Sequence, residues 1–260
     1  MHGIGNDFML VEWPDDQPPP ATELIRAWGN RRIGVGFDSL LLVGPSGRYR
    51  VFNADGGEAR QCGNGARCIA AYLTGGTTAE ITLDSIAGPV ATRVLQDGVV
   101  SINLGQPDFR PESLPFTVDA PADSYRLELG SGPVEFRVVS MGNPHAVIAV
   151  DSVDQAKVGI IGAELAAHAA FAEGVNAGFA ERVSPSKLKL RVFERGVGET
   201  LACGTGAAAA VAAGRRRGQL EDRVEVELPG GTLIVEWQGA GGDLWQTGQT
   251  TKVYEGLIEI

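Results

Sequence analysis

A stretch of nineteen residues occurs twice in this 260-residue chain, 141 positions apart and without a gap. The first copy runs Arg48-Tyr49-Arg50-Val51-Phe52, through Gly57-Glu58, to Cys62-Gly63-Asn64-Gly65-Ala66. The second runs Lys189-Leu190-Arg191-Val192-Phe193, through Gly198-Glu199, to Cys203-Gly204-Thr205-Gly206-Ala207. Nine of the nineteen positions are identical, where chance supplies about one. Weaker echoes at offsets near 137–140 pair Gly5-Asn6 with Gly142-Asn143, and Gly34-Val35 with Gly174-Val175. An offset this long means two similar halves, not a solenoid of short units.

Each copy reads as strand, glycine-containing loop and helix. Arg48–Phe52 and Lys189–Phe193 alternate polar and apolar residues, the period of a half-buried strand. Ala66–Leu73 and Ala207–Ala213 are rich in small apolar residues, which predicts buried helices. Gly75-Gly76 and Gly214 are the expected stops. Arg215-Arg216-Arg217 suits the negative end of the second helix dipole. Further strands are expected at Val99–Leu104, Glu135–Val139, Ala146–Val150, Val224–Leu228 and Thr232–Trp237. Helical segments are too few for a doubly wound architecture. The fold class is therefore α/β of the α+β type, with mixed or antiparallel sheet in each half. The proline-rich stretch Pro107–Pro121 is the expected linker.

Composition removes several function classes. Hydrophobic residues make up 43% and charged residues 21%, which is ordinary for a globular protein. A net charge of −10 argues against nucleic acid or an anionic membrane as partner. No apolar run approaches the roughly 18 residues of a membrane helix. The start, Met1-His2-Gly3-Ile4-Gly5, lacks a signal-peptide pattern, so a cytoplasmic protein is expected. Three cysteines then read as reduced thiols rather than a disulfide framework.

The repeat places two of those thiols, Cys62 and Cys203, at helix N-termini. There the backbone N–H groups and the helix dipole favour a thiolate, and the glycines leave the N–H groups open to a carboxylate. Two such sites facing one cleft could hold a carboxylate between them, with one sulfur on each side of the adjacent carbon. One thiolate would remove the α-proton and the other thiol would deliver a proton to the opposite face. The plainer reading of a buried cysteine is a small core residue. It suits Cys68, whose counterpart is Ala209, better than Cys62 and Cys203. Metal is disfavoured: no Cys-x-x-Cys occurs, and His2, His145 and His168 are scattered. Gly204-x-Gly206-x-x-Ala209 formally matches a dinucleotide fingerprint, but about ten residues separate it from its strand. None of the four lysines (Lys157, Lys187, Lys189, Lys252) lies in a glycine-rich motif, so a pyridoxal-phosphate Schiff base is not expected.

The blocks His2-Gly3-Ile4-Gly5-Asn6-Asp7-Phe8, Phe52–Gly56, Cys62–Cys68, Gly142-Asn143-Pro144-His145, Val175-Asn176, Glu194–Thr200, Ala202–Gly206, Leu228–Gly231 and Glu236-Trp237 together resemble the diaminopimelate epimerases. The resemblance spans essentially the whole chain. It implies cofactor-independent interconversion of LL- and meso-2,6-diaminoheptanedioate, a lysine and peptidoglycan precursor step, by a homodimeric isomerase. It implies Cys62 and Cys203 as the acid/bases, and the N–H groups of Gly63, Asn64, Gly204 and Thr205 as the carboxylate cradle. Glu194 and the Arg195 carbonyl would hold the reacting ammonium. Asn6, Asn53, Asn143, Asn176 and Arg195 would grip the distal end, with His145 lining the site. Asn donates and accepts, which suits a zwitterion, and Arg can be bidentate to a carboxylate. Asn beside Gly is otherwise a turn residue. Glu58 and Glu199 read as braces for the loops.

The same resemblance implies two domains, 1–106 plus 249–260 and 107–248, each a sheet wrapped on a central helix, with the active site in the cleft between them. Two departures stand out. Ser39 falls where some members place a Gln that touches the distal end. The chain also starts at Met1-His2, where relatives usually carry a short leading strand. Proline racemases and hydroxyproline epimerases share the fold but typically carry Cys-Gly-His-Gly where this chain has Asn64, and phenazine-type isomerases lack the cysteine pair. The competing functions are a racemase of another amino acid, a dinucleotide-binding oxidoreductase resting on Gly204–Ala209, and a thiol redox protein.

Overall fold

A computed structural model of the chain describes residues 1–118 and 120–258. Position 119 of the expected linker and the last two positions of the expected 249–260 segment lie outside the described residues. The chain forms two compact units: Met1–Asn103 with the chain from Thr247 onward, and Leu104–Gln246.

In the first unit, Asn6–Glu12 runs parallel to Ser39–Val43, with Phe8 opposite Ser39. The helix Thr22–Gly29 lies between them in sequence. It buries Ile25 and Trp28 against Phe37, Leu40, Leu42 and Phe52. Ser39–Val43 pairs antiparallel with Tyr49–Asn53, which sets Ser39 opposite Asn53. The short strand Glu58–Ala59, the helix Gly63–Leu73 and the meander Ala79–Ser85, Gly88–Val94, Val99–Asn103 follow. Ser39–Val43 is buried at every position, so it carries a continuous apolar run instead of an alternation. The helix Gly63–Leu73 is touched by strands from both parts of the sheet and is buried from Asn64 through Ala71. A helix covered on all sides needs small apolar residues. Ala66, Cys68, Ile69, Ala70 and Ala71 meet that need, and Arg67 does not.

The second unit repeats this order. Pro144–Ala149 runs parallel to Asn176–Ser184, with His145 opposite Asn176. The helix Val158–Ala166 falls between them. Asn176–Ser184 pairs antiparallel with Lys187–Glu194, and Gly198–Thr200 and the helix Gly204–Arg216 follow. The hairpin Arg223–Leu228 with Gly231–Glu236 closes the order. The nineteen-residue repeat is thus the readable part of a longer duplication. Each unit is a mixed sheet built around one buried helix, the expected α+β class.

Two local readings need correction. Pro107–Pro121 is not a linker. Asp108 bridges Ser140, Phe116 bridges Phe171, and Leu114 and Phe116 lie in the core of the second unit with Phe136, Phe171 and Phe179. Its prolines punctuate a packed segment. Gly214 does not end the second helix, which runs to Arg216. A Cβ at Gly214 would meet the Leu220 Cδ1 at 2.4 Å, so this glycine is a packing site. The stop is Gly218, at φ +67°, whose N–H bonds the Arg215 carbonyl while the Gln219 N–H bonds that of Gly214. Gly75 and Gly76 end the first helix as expected, at φ +60° and +74°. The helices Thr22–Gly29, only eight residues long, and Val158–Ala166, apolar nearly all round, escape the sequence reading.

Because Gly218 sits in the left-handed region, Gly218→Ala is expected to cost about 1–2 kcal/mol of stability. Urea unfolding checks this, and an unchanged midpoint would remove the assigned stop.

Candidate active site

Both cysteines stand at the N-cap of their unit's buried helix. Cys62 precedes Gly63–Leu73, and its Sγ accepts from the Gly65 N–H at 3.4 Å. Cys203 precedes Gly204–Arg216 and is 4% exposed. Extended backbone at each cap turns the chain into the helix, leaving the first N–H groups outside the helical ladder. The fourth residue of each Cys-Gly-x-Gly step must be small for packing. A Cβ at Gly65 would lie 2.9 Å from Leu41 Cδ2, and one at Gly206 would lie 3.0 Å from Val192 Cγ2 and 3.2 Å from the Cys203 Sγ.

In the first unit, Asn6 ties the cysteine to the sheet. Its Oδ1 lies 4.0 Å from the Cys62 Sγ and accepts from Asn64 Nδ2 at 3.2 Å. Its Nδ2 donates to Asp38 Oδ2 at 2.9 Å. Asp38 shares Arg31 with Asp7. Burial pushes the Asp7 carboxyl up, but the Arg31 pairing and the hydrogen bonds from Asp38 together outweigh it and hold the carboxyl below the usual range. Ser39 follows Asp38 in the next strand and faces Asn53 across the pair. Gly63 is the first residue of the helix. The structure therefore brings Asn6, Gly63, Asn64 and Cys62 together, with Ser39 and Asn53 adjacent to each other.

In the second unit, Asn143 plays the matching part. Its Nδ2 donates to Thr205 Oγ1 at 3.2 Å, and that hydroxyl lies 3.8 Å from the Cys203 Sγ. His145 Nε2 lies 3.0 Å from Asn143 Oδ1. Burial first, and the Arg195 charge second, bring the His145 pKa down to about 3. The ring is neutral at pH 7 and donates Nε2–H to the amide oxygen. Asn176 Oδ1 accepts from the Arg195 N–H at 3.0 Å, and the Thr200 hydroxyl donates to Glu194 Oε1 at 2.5 Å. Arg195 Nη1 donates to the Glu173 carbonyl at 2.6 Å. Gly204 accepts from Gln246 Nε2 through its carbonyl at 2.6 Å.

The duplication sorts these residues into pairs. Offsets of 137 and 141 map Asn6 onto Asn143, Phe8 onto His145, Ser39 onto Asn176, Asn53 onto Glu194, Cys62 onto Cys203 and Asn64 onto Thr205. Arg50 and Glu58 form a bidentate pair at 2.6 and 2.8 Å, and Arg191 and Glu199 repeat it at 2.6 and 2.9 Å. These pairs fasten the hairpin before each cysteine.

A family model for diaminopimelate epimerase matches residues 1–110 and 137–253. A diaminopimelate epimerase of Chromobacterium violaceum is 47% identical over 271 residues, covering 100% of this chain and 98% of that one. One from Acinetobacter baumannii is 47% identical, covering 100% and 96%. The chain belongs to the diaminopimelate epimerase family. A third family member, from Ectopseudomonas mendocina, is 43% identical and covers 100% of this chain and 98% of that one. Among solved structures, a hydroxyproline epimerase from Agrobacterium vitis superposes with a TM-score of 0.66 at 17% identity, covering 95% of this chain and 86% of that one. A PhzF-family phenazine biosynthesis protein from Bacillus anthracis gives 0.66 at 19%, covering 99% and 95%. At such identities the two share the fold.

For this member of the family, two features differ from the sequence reading. A helix N-terminus predicts a lowered thiol pKa at both cysteines. At Cys203, burial first and the Glu194 charge second push the thiol well above its ordinary value instead. The helix end is the weaker effect in a water-excluded position. The sequence reading also passed over Arg67, Gln246 and Thr200. The signal for Gln246 and Thr200 is slight, because a polar residue gains meaning only from the backbone or carboxylate beside it. Among the described residues, no group of three or more His, Cys, Asp and Glu side chains is arranged to hold a metal ion.

The depressed His145 pKa fixes the sign of one pH effect. The unfolded chain takes up a proton near pH 6.5 that the folded chain refuses until about pH 3, so stability falls as pH drops through that window. Between pH 7 and pH 5, His145→Gln should lose about 2 kcal/mol less stability than the parent. Urea unfolding at both pH values measures this, and equal losses would show that His145 accepts a proton in the fold.

Proposed function

We propose that the chain epimerises LL-2,6-diaminoheptanedioate to the meso isomer, a step toward lysine and peptidoglycan precursors, without pyridoxal phosphate or another cofactor. Cys62 and Cys203 are the two acid/bases, acting on one α-carbon from opposite faces. The observation that carries the reading is the repeated N-cap cysteine, set in each unit beside an Asn that bonds the third residue of its Cys-Gly-x-Gly step.

The chemistry follows from that setting. A thiolate takes the α-proton, and the electron pair left on carbon spreads into the adjacent carboxylate. The N–H groups of Gly63, Asn64, Gly204 and Thr205 hold that carboxylate and meet the charge as it grows. The second thiol gives its proton to the other face and becomes the thiolate for the return reaction. Glu194, held by Thr200, takes the reacting ammonium together with the Arg195 carbonyl. Arg195 takes the distal carboxylate, with Asn6, Asn53, Asn143 and Asn176 completing the zwitterion. His145, neutral, holds Asn143 and lines the pocket. Ser39 stands at the distal end, where its short side chain either reaches substrate through water or gives up the contact a longer residue would make. A cytoplasmic location belongs to the same reading, and so does a homodimer, which rests on the family resemblance.

The test is isomer analysis of LL-diaminopimelate incubated with purified protein and no added cofactor. Cys62→Ser and Cys203→Ser are each expected to lower kcat by about 10²–10⁴-fold. Cys68→Ser, at a fully buried position whose thiol burial pushes up to about 12, should lower stability with activity per folded molecule kept within about threefold. Loss of activity in Cys68→Ser with retention in Cys203→Ser would overturn the assignment.

A further inference from the structure

The most unusual side chain in the first unit is Arg67, which is fully buried in the first turns of the Cys62 helix. A buried guanidinium is rare unless it is paired or put to use. Its Nη2 donates to Asn64 Oδ1 at 2.5 Å. That bond fixes which way the Asn64 amide points, so Nδ2 faces Asn6 Oδ1 at 3.2 Å, and the same oxygen lies 4.0 Å from the Cys62 Sγ.

The second unit has the relay without the charge. The position equivalent to Arg67 is Ala208. From Cys203 the line runs through Thr205 and Asn143 to the neutral His145. The charge that acts on Cys203 is the Glu194 carboxylate, which opposes a thiolate. One cysteine thus has a buried cation behind it and the other an anion beside it.

We propose that Arg67 is a positioning residue for the epimerisation, orienting Asn64 and Asn6 and supplying the buried positive charge that makes Cys62 the thiolate and Cys203 the thiol of the resting protein. The proposal rests on the functional reading above for its link to catalysis, and not for its claim about ionisation.

The groups facing Cys62 support it. On its own helix these are Arg67 and Cys68, and from the neighbouring strand Tyr49. Burial pushes both the Tyr49 phenol and the Cys68 thiol up, so neither carries charge at neutral pH. Burial brings Arg67 down to about 10, which leaves it protonated, and the Cys62 and Cys68 sulfurs oppose that fall. The Met1 ammonium, bonded to the Phe8 carbonyl at 2.9 Å, adds a second positive charge felt at Cys68. A cation in a low-dielectric setting lowers a nearby thiol's pKa.

The experiment follows iodoacetamide labelling of each cysteine against pH by peptide mass spectrometry, on the full-length protein. Each curve is normalised to its own plateau, so that its inflection reports ionisation and not access. In the parent, the Cys62 inflection is expected about one pH unit or more below that of Cys203. Arg67→Met should raise the Cys62 inflection by about one unit or more and leave Cys203 in place. It should also lower kcat by about tenfold or more with KM within about threefold. Arg67→Lys, which keeps the charge, should recover most of the Cys62 shift.

An Arg67→Met protein that folds and shows the parental Cys62 inflection overturns the proposal. If that variant does not fold, a parent in which Cys62 ionises at or above Cys203 overturns it. So does an Arg67→Lys variant whose Cys62 inflection rises by the full amount expected of Met. A protein that shows the shift but never converts LL-diaminopimelate would sink the functional reading and leave the charge assignment standing.

Discussion

Each unit depends on one contact, the seating of a cysteine at the start of a buried helix. The cap fixes where the sulfur points and where the first N–H groups open. Around it, the helix must be small enough to be enclosed, which explains the alanine runs at Ala70-Ala71 and Ala207–Ala210. The strands that enclose it must then be apolar where they touch it, as Leu41 and Val192 are. The hairpin before it is pinned by Arg50–Glu58 in one unit and Arg191–Glu199 in the other. A sulfur needs little from such a scaffold except a fixed position and a controlled charge.

Duplication supplied two such positions, and divergence made them unlike. The paired residues stay polar while changing type: Asn64 for Thr205, Ser39 for Asn176, Asn53 for Glu194. Two arginines break the pattern outright. Arg195 has Ala54 as its counterpart, and Arg67 has Ala208. Arg195 stands half-buried next to Glu194 in the second unit, and Arg67 is fully buried in the helix that the first cysteine caps. On the proposed mechanism, two chemically identical acid/bases need opposite protonation states at the start of each turnover, and a symmetric pair of sites would not choose between them.

Much of this was legible because the repeat preserves spacing as well as residue type. Strands such as Lys187–Glu194 and Arg223–Leu228 alternate cleanly, so their period shows. The crossover helices do not show, because Thr22–Gly29 is short and Val158–Ala166 is apolar nearly all round. Pro107–Pro121 misleads because proline reports backbone conformation and not burial, and Leu114 and Phe116 are core residues. Arg67 misleads in the opposite way: charge reads as surface until the structure shows what encloses it. The Cys203 environment was out of reach for the same reason, since a helix end is visible in sequence and the burial that outweighs it is not.

The account turns on two separate thiols serving opposite faces of one carbon. The direct measurement is incubation of LL-diaminopimelate in heavy water, with isotope content read in substrate and product during the first fraction of conversion. Two acid/bases predict deuterium at the inverted carbon of the meso product, while the remaining LL pool stays unlabelled. Product that retains the substrate's own hydrogen, or label entering the LL pool as fast as the meso product forms, would mean that one group serves both faces and would contradict the account.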